Sequence, residues 1–423
     1  MRKSLLFVIV LALALGAFSL ASAQEEVSGD LEIFSWWTGG GEEAGLLALI
    51  ARFNEMYPNV NVINSAVAGG SGVNAKAVLV TRMLGGNPPD TFQVHAGREL
   101  SDLWVAAGLM TPLNDIYEAN GWMTQFPQGL LDMITVDGNI YSVPVNIHRA
   151  NVLWYVPANL EQWGVTLPTS IEEFITVTCP ALQAQNIVPL AVGENWTQSH
   201  LWEDVALAVL GPDAYNGLWT GATGFTSPEA VHVWEVYGQL LDCANSDMNA
   251  LTWQDASRMV AEGQAAFNIM GDWAAGYFLV DLALEPGVGF SWAPAFGTDG
   301  IFMMLSDTFG MPLGVPNEAA ARAWLSFLGT AEAQDIFNPL KGSLPANTTA
   351  DIGNPELYNA YFQSAYQDWT TNIIVGSQRH GGVAPQTFDS GFLDIIAGFQ
   401  SGHDAASAAA NTAVLAIQTG VGR

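Results

Sequence analysis

Aromatic residues stand beside single polar side chains at several points along the chain. Trp36-Trp37 come shortly before Glu42, and Trp273 directly follows Asp272. The flat C–H faces of a sugar ring stack on aromatic rings, while its hydroxyls need hydrogen-bond donors and acceptors close by. The pattern therefore favours carbohydrate binding. The polar residues that extend it along the chain are Gln93, His95, Asp307, Lys341 and His380.

The chain has 15 tryptophans among 423 residues, so most of them must pack in the core. Trp37 and Trp273 adjoin turns and acidic groups, and we predict that their rings contact a ligand. If the first strand continues through the pair, Trp36 points away from the side that Trp37 faces and is half packing. The tryptophans in apolar-periodic runs are assigned to the core, namely Trp154, Trp163, Trp234 and Trp324.

Motifs for metal or phosphate chemistry are absent from the sequence. Its six histidines are scattered, with no His-Glu-x-x-His pair and no Cys–His cluster, so we expect no metal and no cofactor. Residues 69–72 (Gly-Gly-Ser-Gly) lack the surroundings of a nucleophile elbow, and Lys76 is misplaced for a phosphate-binding loop. Glu42 and Asp307 leave one enzymatic alternative, a secreted glycosidase that uses two carboxylates.

The elements that must position these residues alternate between strand and helix patterns. Residues 31–34 form a short apolar run typical of a strand, and apolar residues from 46 to 57 recur at helical spacing. A strand-like run at 60–63 completes a β-α-β unit, which implies a parallel strand pair. The order of elements predicts an α/β fold with an open sheet. Trp36 then lies at the carboxyl end of the first strand, where such sheets bind ligands.

The remainder of the chain continues the alternation and becomes mainly helical after Pro168. Two β-rich runs, 141–146 and 152–156, could carry the chain from one lobe to another. The further strands are predicted at 91–94, 265–270 and 302–305. The further helices are predicted at 73–84, 99–106, 171–185, 201–210, 228–243, 253–262, 318–327 and 404–418.

The first residues have the pattern of a secretory signal peptide. Arg2 and Lys3 precede an uncharged apolar stretch, and residues 21–23 (Ala-Ser-Ala) form a small-residue cleavage site, so we predict cleavage near Ala23. In the oxidising compartment that this implies, an even cysteine count favours a disulfide between Cys179 and Cys243. Two buried free thiols are the alternative.

The charge of the chain limits its partners. The formal net charge is −29 at pH 7, and Lys76 and Lys341 are the only lysines after residue 23. Such a negative field repels nucleic acid and anionic membrane surfaces, so neither is expected as a partner. Direct membrane insertion after signal cleavage is not expected, because the most apolar later stretch, residues 267–284, carries two aspartates.

Seven motifs, in this order, resemble a known family over essentially the whole chain after residue 23. They are Leu31-Glu-Ile-Phe-Ser-Trp-Trp37, Asn87-Pro-Pro-Asp-Thr-Phe-Gln-Val-His-Ala-Gly97, Val143-Pro-Val-Asn-Ile-His-Arg149, Gly193-Glu-Asn-Trp-Thr-Gln198, Ala266-Phe-Asn-Ile-Met-Gly-Asp-Trp-Ala-Ala-Gly-Tyr277, Met304-Leu-Ser-Asp307 and Phe337-Asn-Pro-Leu-Lys-Gly-Ser343. The chain resembles the extracellular solute-binding proteins of bacterial ABC sugar importers, the large two-lobed class that includes maltose-binding protein. Within this class it is similar to the periplasmic glucose/galactose-binding proteins, which also share the cysteine pair.

The resemblance implies a type II periplasmic binding protein fold, in which each lobe is an open sheet flanked by helices and the ligand lies in the interlobe cleft. We expect residues 24–145 and 298–340 in the first lobe, and 146–297 and 341–423 in the second. The implied ligand contacts of the first lobe are Trp36, Trp37, Glu42, Gln93, His95 and the returning Asp307. Those associated with the second lobe are Trp253, Trp273, Lys341 and His380.

The chain departs from the resemblance at Gln378-Arg379, where the subgroup tends to be less polar. An arginine near the cleft would change which sugar or anomer is preferred. Trp273 is expected to be the main stacking platform, with Trp37 on the opposite side.

The sequence therefore predicts a monomeric periplasmic receptor without enzymatic activity. It would close on a monosaccharide by a hinge and deliver it to the permease subunits of an ABC importer. Glucose is the expected sugar, with galactose and mannose left open. The alternatives are an oligosaccharide-binding protein of the same fold and the secreted glycosidase.

Overall fold

The computed structural model describes residues 27–69 and 72–422. The predicted signal peptide, its cleavage near Ala23 and the middle of the glycine-rich turn at 69–72 lie outside the described residues. Among the residues that are described, no helix combines the length and the apolar character that crossing a bilayer requires.

The strands fall into two larger sheets and two smaller ones. In chain order they are β1 (Gly29–Phe34), β2 (Val60–Asn64), β3 (Thr91–His95), β4 (Thr135–Val136), β5 (Asn139–Ile140), β6 (Ser142–Pro144), β7 (His148–Arg149), β8 (Val152–Tyr155), β9 (Val188–Ala191), β10 (Ala265–Ile269), β11 (Ser291–Pro294), β12 (Ile301–Leu305), β13 (Asp307–Gly310) and β14 (Ile373–Gly376).

Helices cover both larger sheets. In chain order the α-helices are α1 (Gly40–Met56), α2 (Val73–Leu84), α3 (Asn114–Asn120), α4 (Gln128–Ile134), α5 (Pro157–Trp163), α6 (Ile171–Glu173), α7 (Cys179–Gln183), α8 (Asn195–Thr220), α9 (Pro228–Leu241), α10 (Trp253–Ala261), α11 (Trp273–Gly276), α12 (Glu318–Leu328), α13 (Ala331–Lys341), α14 (Ala360–Thr371), α15 (Gln386–Phe399) and α16 (Ala405–Thr419).

Short tighter and wider helical turns join these elements. The 3₁₀ turns are Trp122–Thr124 and Met248–Ala250, and the π-helical turns are Leu100–Val105, Phe174–Thr178 and Tyr277–Asp281.

The first sheet has the strand order β2-β1-β3-β13-β6. β1 runs parallel to β2 and β3, as the β-α-β pattern predicts, whereas β13 returns antiparallel to β3. In that return, Asp307 is the register partner of His95. Helix α1 covers this sheet with the buried face formed by Leu46, Leu49 and Phe53. The register therefore brings two predicted site residues together from positions far apart in sequence.

The second sheet has the strand order β11-β8-β10-β9. β9 and β10 are parallel, and α8 and α9 lie between them in the chain. A disulfide joins Cys179 to Cys243, which confirms the predicted pairing and ties α7 to the turn after α9. The predicted α/β class is therefore confirmed in both large sheets.

Two adjacent segments carry the chain between the large sheets, one from β6 through β7 to β8 and the other from β11 through β12 to β13. They meet in a third sheet, where β7 pairs antiparallel with β12 and β14 pairs parallel with β12 on its other edge. The pairing of β12 with β14 crosses the lobe boundaries expected from the resemblance, because those boundaries assign residues 301–305 and 373–376 to different lobes. The exact boundaries stay a prediction.

Three predicted helices have a different form in the structure. The helix expected at 201–210 is the middle of α8, which is interrupted at Gly211, where φ is 71° and ψ is 170°. The helix expected at 99–106 is helical over nearly its whole length, but as the π-helical turn Leu100–Val105. The helix expected at 171–185 includes the π-helical turn Phe174–Thr178 between α6 and α7. Apolar periodicity indicates that a segment is helical but does not distinguish these hydrogen-bond patterns.

Candidate functional site

A cavity of about 290 Å³ lies where the carboxyl end of the first sheet faces residues of the second. The structure brings eight of the ten predicted ligand-binding residues to its wall, namely Trp36, Glu42, His95, Trp253, Trp273, Asp307, Lys341 and His380. Trp37 and Gln93 do not line it. That these eight residues bind a ligand stays a prediction. Their rings and polar groups, which are spread along the sequence, do lie together around one cavity.

Trp36 and Trp37 have the reverse of the arrangement expected from the sequence. Trp37 is 1% exposed and packs between Phe337, with ring centroids 4.8 Å apart, and Phe309, at 5.5 Å. Trp36 instead lines the cavity. The expectation extended strand alternation through both residues, but β1 ends at Phe34, so the alternation does not apply to them. Trp37 is therefore a core residue, and Trp36 is the ring on the cavity.

Neighbouring groups hold the Trp36 ring from several sides. Its backbone N–H donates to Oε1 of Gln93 at 3.1 Å. The Lys76 Nζ lies 5.3 Å from the ring centroid, within the range of a cation–π contact. At Gly72, where φ is +89°, a Cβ atom would come within 2.8 Å of the ring. Glycine at this position therefore gives the indole its space, and Trp36 has little freedom to move.

Trp273 and Trp253 supply further aromatic surface to the cavity. Trp273 begins helix α11, and its ring lies 5.1 Å from that of His380 and 5.5 Å from that of His148. A Cβ atom at Gly271 would lie only 2.1 Å from the Trp273 ring, so the glycine permits this orientation. The rings are thus placed by local backbone geometry and are not free surface side chains.

Lys341 provides the cationic group of the cavity. It is the last residue of α13, and Gly342 caps that helix with φ of +90°. Its Nζ donates to Oε1 of Glu42 at 2.7 Å and lies 5.8 Å from the centroid of the Trp273 ring. The Lys341 side chain is only 2% exposed, so its ammonium group is held in a fixed position.

Asp307 accepts hydrogen bonds with both of its carboxylate oxygens. Its Oδ1 accepts from Nε2 of Gln93 and its Oδ2 accepts from Nδ2 of Asn146, each at 2.8 Å. Burial would raise the pKa of Asp307, but the hydrogen bond with His148 and the positive charge of Lys341 outweigh it and hold that pKa well below its usual value. Asp307 is therefore a carboxylate. Gln93, predicted as a ligand contact, instead lies behind the cavity and positions Asp307 and Trp36.

His148, in one of the segments that join the large sheets, lies between the carboxylates of Asp272 and Asp307. Its Nδ1 hydrogen-bonds to Oδ1 of Asp272, and its Nε2 lies 3.3 Å from Oδ2 of Asp307. Burial would lower the pKa of His148, but the charge of Asp272 and its hydrogen bond raise it above the usual value. The imidazole therefore ties a residue next to Trp273 to one on the first sheet.

His95 is oriented by a chain of charged groups behind it. Its Nδ1 lies 2.7 Å from Oε2 of Glu99, and the same oxygen accepts from Nζ of Lys76 at 2.7 Å. Burial would raise the pKa of Glu99, but the charges of Lys76 and His95 outweigh it and lower that pKa to about 2. Because Glu99 is then a carboxylate, His95 Nδ1 donates to it, and Nε2 is directed towards Asp307, 3.6 Å away.

Arg379 does not reach the cavity, contrary to the expectation that it would lie near the cleft. Its guanidinium group hydrogen-bonds to Asp389 of α15, and its backbone N–H donates to Glu203. Gln378 also donates its backbone N–H to Glu203. Neither side chain lines the cavity, so the departure from the family pattern at these two positions affects packing behind the site.

Several residues that line the cavity were not predicted from the sequence, including His148, Glu194, Trp196 and Gln254. Glu194 and Trp196 lie in the motif at 193–198 and repeat the pattern of a ring beside an acidic group; the Trp196 Nε1 donates to Oε1 of Glu194 at 3.0 Å. That pattern could have identified them. His148 had no such signal, because its role depends on Asp272 and Asp307, which are distant in sequence.

Together these groups form a polar wall with defined hydrogen-bonding roles beside aromatic faces. Asp307 and Glu42 accept hydrogen bonds, and Lys341 donates them. Such an arrangement can bind a polyhydroxylated ring, with its C–H faces on the indoles and its hydroxyls on the charged groups.

Known proteins are similar to this chain in both sequence and fold. Residues 38–335 match the family described as bacterial extracellular solute-binding protein. An uncharacterised ABC transporter extracellular-binding protein of Pyrococcus horikoshii is 35% identical over 384 residues, which are 90% of this chain and 86% of that protein. The glucose-binding protein GlcS of Saccharolobus solfataricus is 26% identical over 390 residues, covering 86% of this chain and 69% of that one.

Among solved structures, the bacterial solute receptor AcbH superposes with a TM-score of 0.80 at 21% sequence identity. The alignment covers 94% of this chain and 100% of the receptor. It confirms the two-lobed solute-binding fold that the resemblance implied.

Proposed function

The chain belongs to the family of bacterial extracellular solute-binding proteins, and from that membership we propose that it captures a monosaccharide by closing its two lobes around it. At the level of the family, the protein is the sugar-binding component of an ABC importer and not an enzyme. Glucose is the sugar we propose, with galactose and mannose as related candidates.

The observation that carries the proposal is the convergence of rings and charged groups on one small cavity. Its volume of about 290 Å³ lies just below the range for ligand pockets, roughly 300–1,000 Å³. Trp36, Trp253 and Trp273 provide the aromatic faces, and Asp307 and Lys341 provide an acceptor and a donor beside them. A single pyranose can use all of these groups at once. The name of the relative GlcS, a glucose-binding protein, supports the same class of ligand.

Hinge closure is supported by the way the cavity wall is assembled. Asp307 begins β13 of the first sheet, and Trp36 follows β1 of the same sheet. Trp253 and Trp273 instead flank β10 of the second sheet. A ligand that touches both sets has more contacts in the closed state than in an open one, and this difference in affinity drives closure. The two adjacent connections through β7 and β12 are the natural hinge.

An oligosaccharide is the second candidate, and one observation favours it. Glu194, Trp196 and Gln254 also line the cavity, so its wall has a ring and polar groups beyond the predicted set. They would provide a place for a second sugar unit. The glycosidase alternative does not hold, because the relatives are solute-binding proteins and not enzymes. The lowered pKa of Asp307 is also the opposite of what a general acid needs.

Isothermal titration calorimetry with purified protein tests the proposal. The panel would contain glucose, galactose, mannose and xylose together with maltose and trehalose. We expect saturable heat with at least one hexose, and weaker or no binding of the disaccharides. Tight binding of a disaccharide without any response to the monosaccharides would reject the monosaccharide in favour of the oligosaccharide.

The remaining proposals concern processing and assembly. We propose that the signal peptide is cleaved near Ala23 and that the protein delivers its sugar to permease subunits as a monomer. Mass spectrometry of the secreted protein tests the cleavage site. Light scattering tests the monomer, and a stable dimer in the presence of the sugar would reject it.

A further inference from the structure

Two buried histidines, His200 and His380, lie next to each other, and only His380 lines the cavity. His380 lines the cavity from the loop that follows β14, whereas His200 is fully buried in α8. The His200 Nδ1 lies 3.3 Å from the His380 Nε2. A hydrogen bond between two imidazoles requires that one nitrogen carries the proton and the other does not. The direction of this bond follows from what lies on the far side of His200.

The nearest polar atom on the far side of His200 is a backbone carbonyl oxygen. Its Nε2 lies 3.1 Å from the carbonyl oxygen of Ala150 and 3.5 Å from Oδ2 of Asp204. A carbonyl oxygen cannot donate, so the His200 Nε2 carries the hydrogen. Its Nδ1 is then the acceptor, provided that the ring is neutral. Oε1 of Glu203 is 3.7 Å from Nδ1, which is too far for a hydrogen bond that would reverse this assignment.

Both rings are neutral. Burial lowers the pKa of His200 to about 3. The pKa of His380 is also lowered well below its usual value, by burial and by the neighbouring His95 and His200. With Nδ1 of His200 as the acceptor, His380 must donate through Nε2, and its own Nδ1 keeps a lone pair. Among the described residues, no hydrogen bond reaches that Nδ1.

We propose that His200 is a positioning residue that fixes the tautomer of His380, so that His380 presents Nδ1 to the ligand purely as a hydrogen-bond acceptor. The sugar must then offer a hydroxyl hydrogen at this point. The inference rests on the proposed function, because it assumes that His380 faces a bound sugar. It assigns a specificity-determining role to a residue that makes no contact with the cavity.

The same helix also anchors the loop that carries His380. One turn after His200, Glu203 accepts from Oγ of Ser377 at 2.7 Å and from the backbone N–H groups of Gln378 and Arg379 at 2.8 and 3.0 Å. Ala150, which accepts from His200, lies between β7 and β8 in one of the segments that join the lobes. The tautomer and the loop are therefore held by one rigid element.

His200, Glu203 and His380 also have their ligating atoms within 4.8 Å of one another, close enough to consider a metal ion. The hydrogen bonds argue against one. Glu203 already accepts three donors, and the positive charge of Arg379 acts on both His200 and Glu203. A bound cation would displace the hydrogen bond between the two histidines, so metal binding is an outcome that the test must distinguish.

Nitrogen NMR of the histidine side chains in the wild-type protein without ligand tests the tautomer directly. We expect His380 and His200 both to carry their hydrogen on Nε2, with unprotonated Nδ1 atoms, across the neutral pH range. A hydrogen on the His380 Nδ1 would overturn the proposal. So would metal-type shifts or thermal stabilisation when zinc is added to chelator-treated protein. Because no sugar is used, this result is independent of whether the proposed ligand is correct.

A pair of variants then tests the effect on specificity. His200→Asn can keep an acceptor, since the Asn Oδ1 takes the place of the imidazole Nδ1, whereas His200→Leu cannot. We expect D-glucose to bind His200→Leu about ten-fold more weakly than His200→Asn. In His200→Leu the His380 hydrogen should move to Nδ1 in the NMR spectrum. Equal affinities, or an unchanged His380 tautomer in a folded His200→Leu protein, would overturn the role of His200.

Discussion

The Nζ of Lys341 donates to Oε1 of Glu42 at 2.7 Å, although the two residues are 299 positions apart in the chain. The contact joins the carboxyl end of α13 to the first turn of α1, two helices that pack against each other. Cations are favoured at helix carboxyl ends and carboxylates at amino ends, so both partners suit their positions. The pair thus places one donor and one acceptor on the cavity wall beside the Trp273 ring.

Loss of the Lys341 ammonium group should weaken sugar binding. In Lys341→Met, a ligand hydroxyl loses its donor, and Glu42 and Asp307 lose a compensating charge. We expect at least a ten-fold fall in affinity, about 1.4 kcal/mol, measured by calorimetry. Arg52→Met is a matched control, because Arg52 forms exposed ion pairs with Glu55 and Glu332 and does not line the cavity. An equal loss in both variants would mean that net charge matters and the position of Lys341 does not.

The exchange of roles between Trp36 and Trp37 predicts opposite effects of their removal. Trp36→Ala should weaken sugar binding at least ten-fold and cost less stability than Trp37→Ala, because part of the Trp36 ring faces the cavity. Trp37→Ala should lower the free energy of unfolding by about 3–5 kcal/mol, because it leaves a hole between Phe309 and Phe337. Denaturant unfolding and calorimetry on both variants measure the two effects. The reversed pattern would restore Trp37 as the ligand ring.

The low pKa of Glu99 predicts how stability depends on acid. The folded-state pKa is about 2 and the ordinary value is 4.5, so the unfolded chain binds a proton between these pH values that the folded protein does not. Stability from this group is present above pH 4.5 and is lost as pH falls towards 2. The shift corresponds to about 3 kcal/mol.

Glu99→Gln should remove that part of the pH dependence. Denaturant unfolding of both proteins at several pH values from 6 down to 2.5 measures it. We expect the stability difference between wild type and variant to shrink as pH falls. A difference that is constant over this range would show that the Glu99 carboxylate is not stabilised by Lys76 and His95.

The disulfide should contribute to stability without affecting the ligand. Cys179 and Cys243 are 64 residues apart, and closing a loop of that length stabilises the fold by about 4 kcal/mol in the chain-entropy model. Neither cysteine lines the cavity. Cys179→Ser with Cys243→Ser should therefore unfold at lower denaturant concentration and bind sugar with unchanged affinity. A large loss of affinity in the folded double variant would contradict this separation.

Much of the fold follows from local patterns in the sequence. The bounds of α2 agree with the apolar spacing, and β1, α1 and β2 follow the predicted β-α-β order. The partners of individual side chains depend on long-range contacts, which local patterns do not contain. Arg379 looked available from the sequence, but Asp389 of α15 binds its guanidinium group. His148 could not be recognised, since its two carboxylate partners come from other parts of the chain.

The tryptophan pair shows what could and could not be predicted about the site from the sequence. An aromatic pair after a strand correctly indicated the position of the cavity. Which ring faces it depends on where the strand ends, and β1 stops two residues before Trp36. The exact end of a short strand is set by its hydrogen bonds to β2 and β3, which the sequence of β1 does not contain.

The most direct test of the central claim is a crystal structure of the protein grown with the hexose that binds most tightly. We expect density for one pyranose ring in the cavity, with a face against Trp36 or Trp273 and hydroxyls within hydrogen-bond distance of Asp307 and Lys341. Density for the sugar outside this cavity, or a sugar in it that contacts neither indole, would contradict the account.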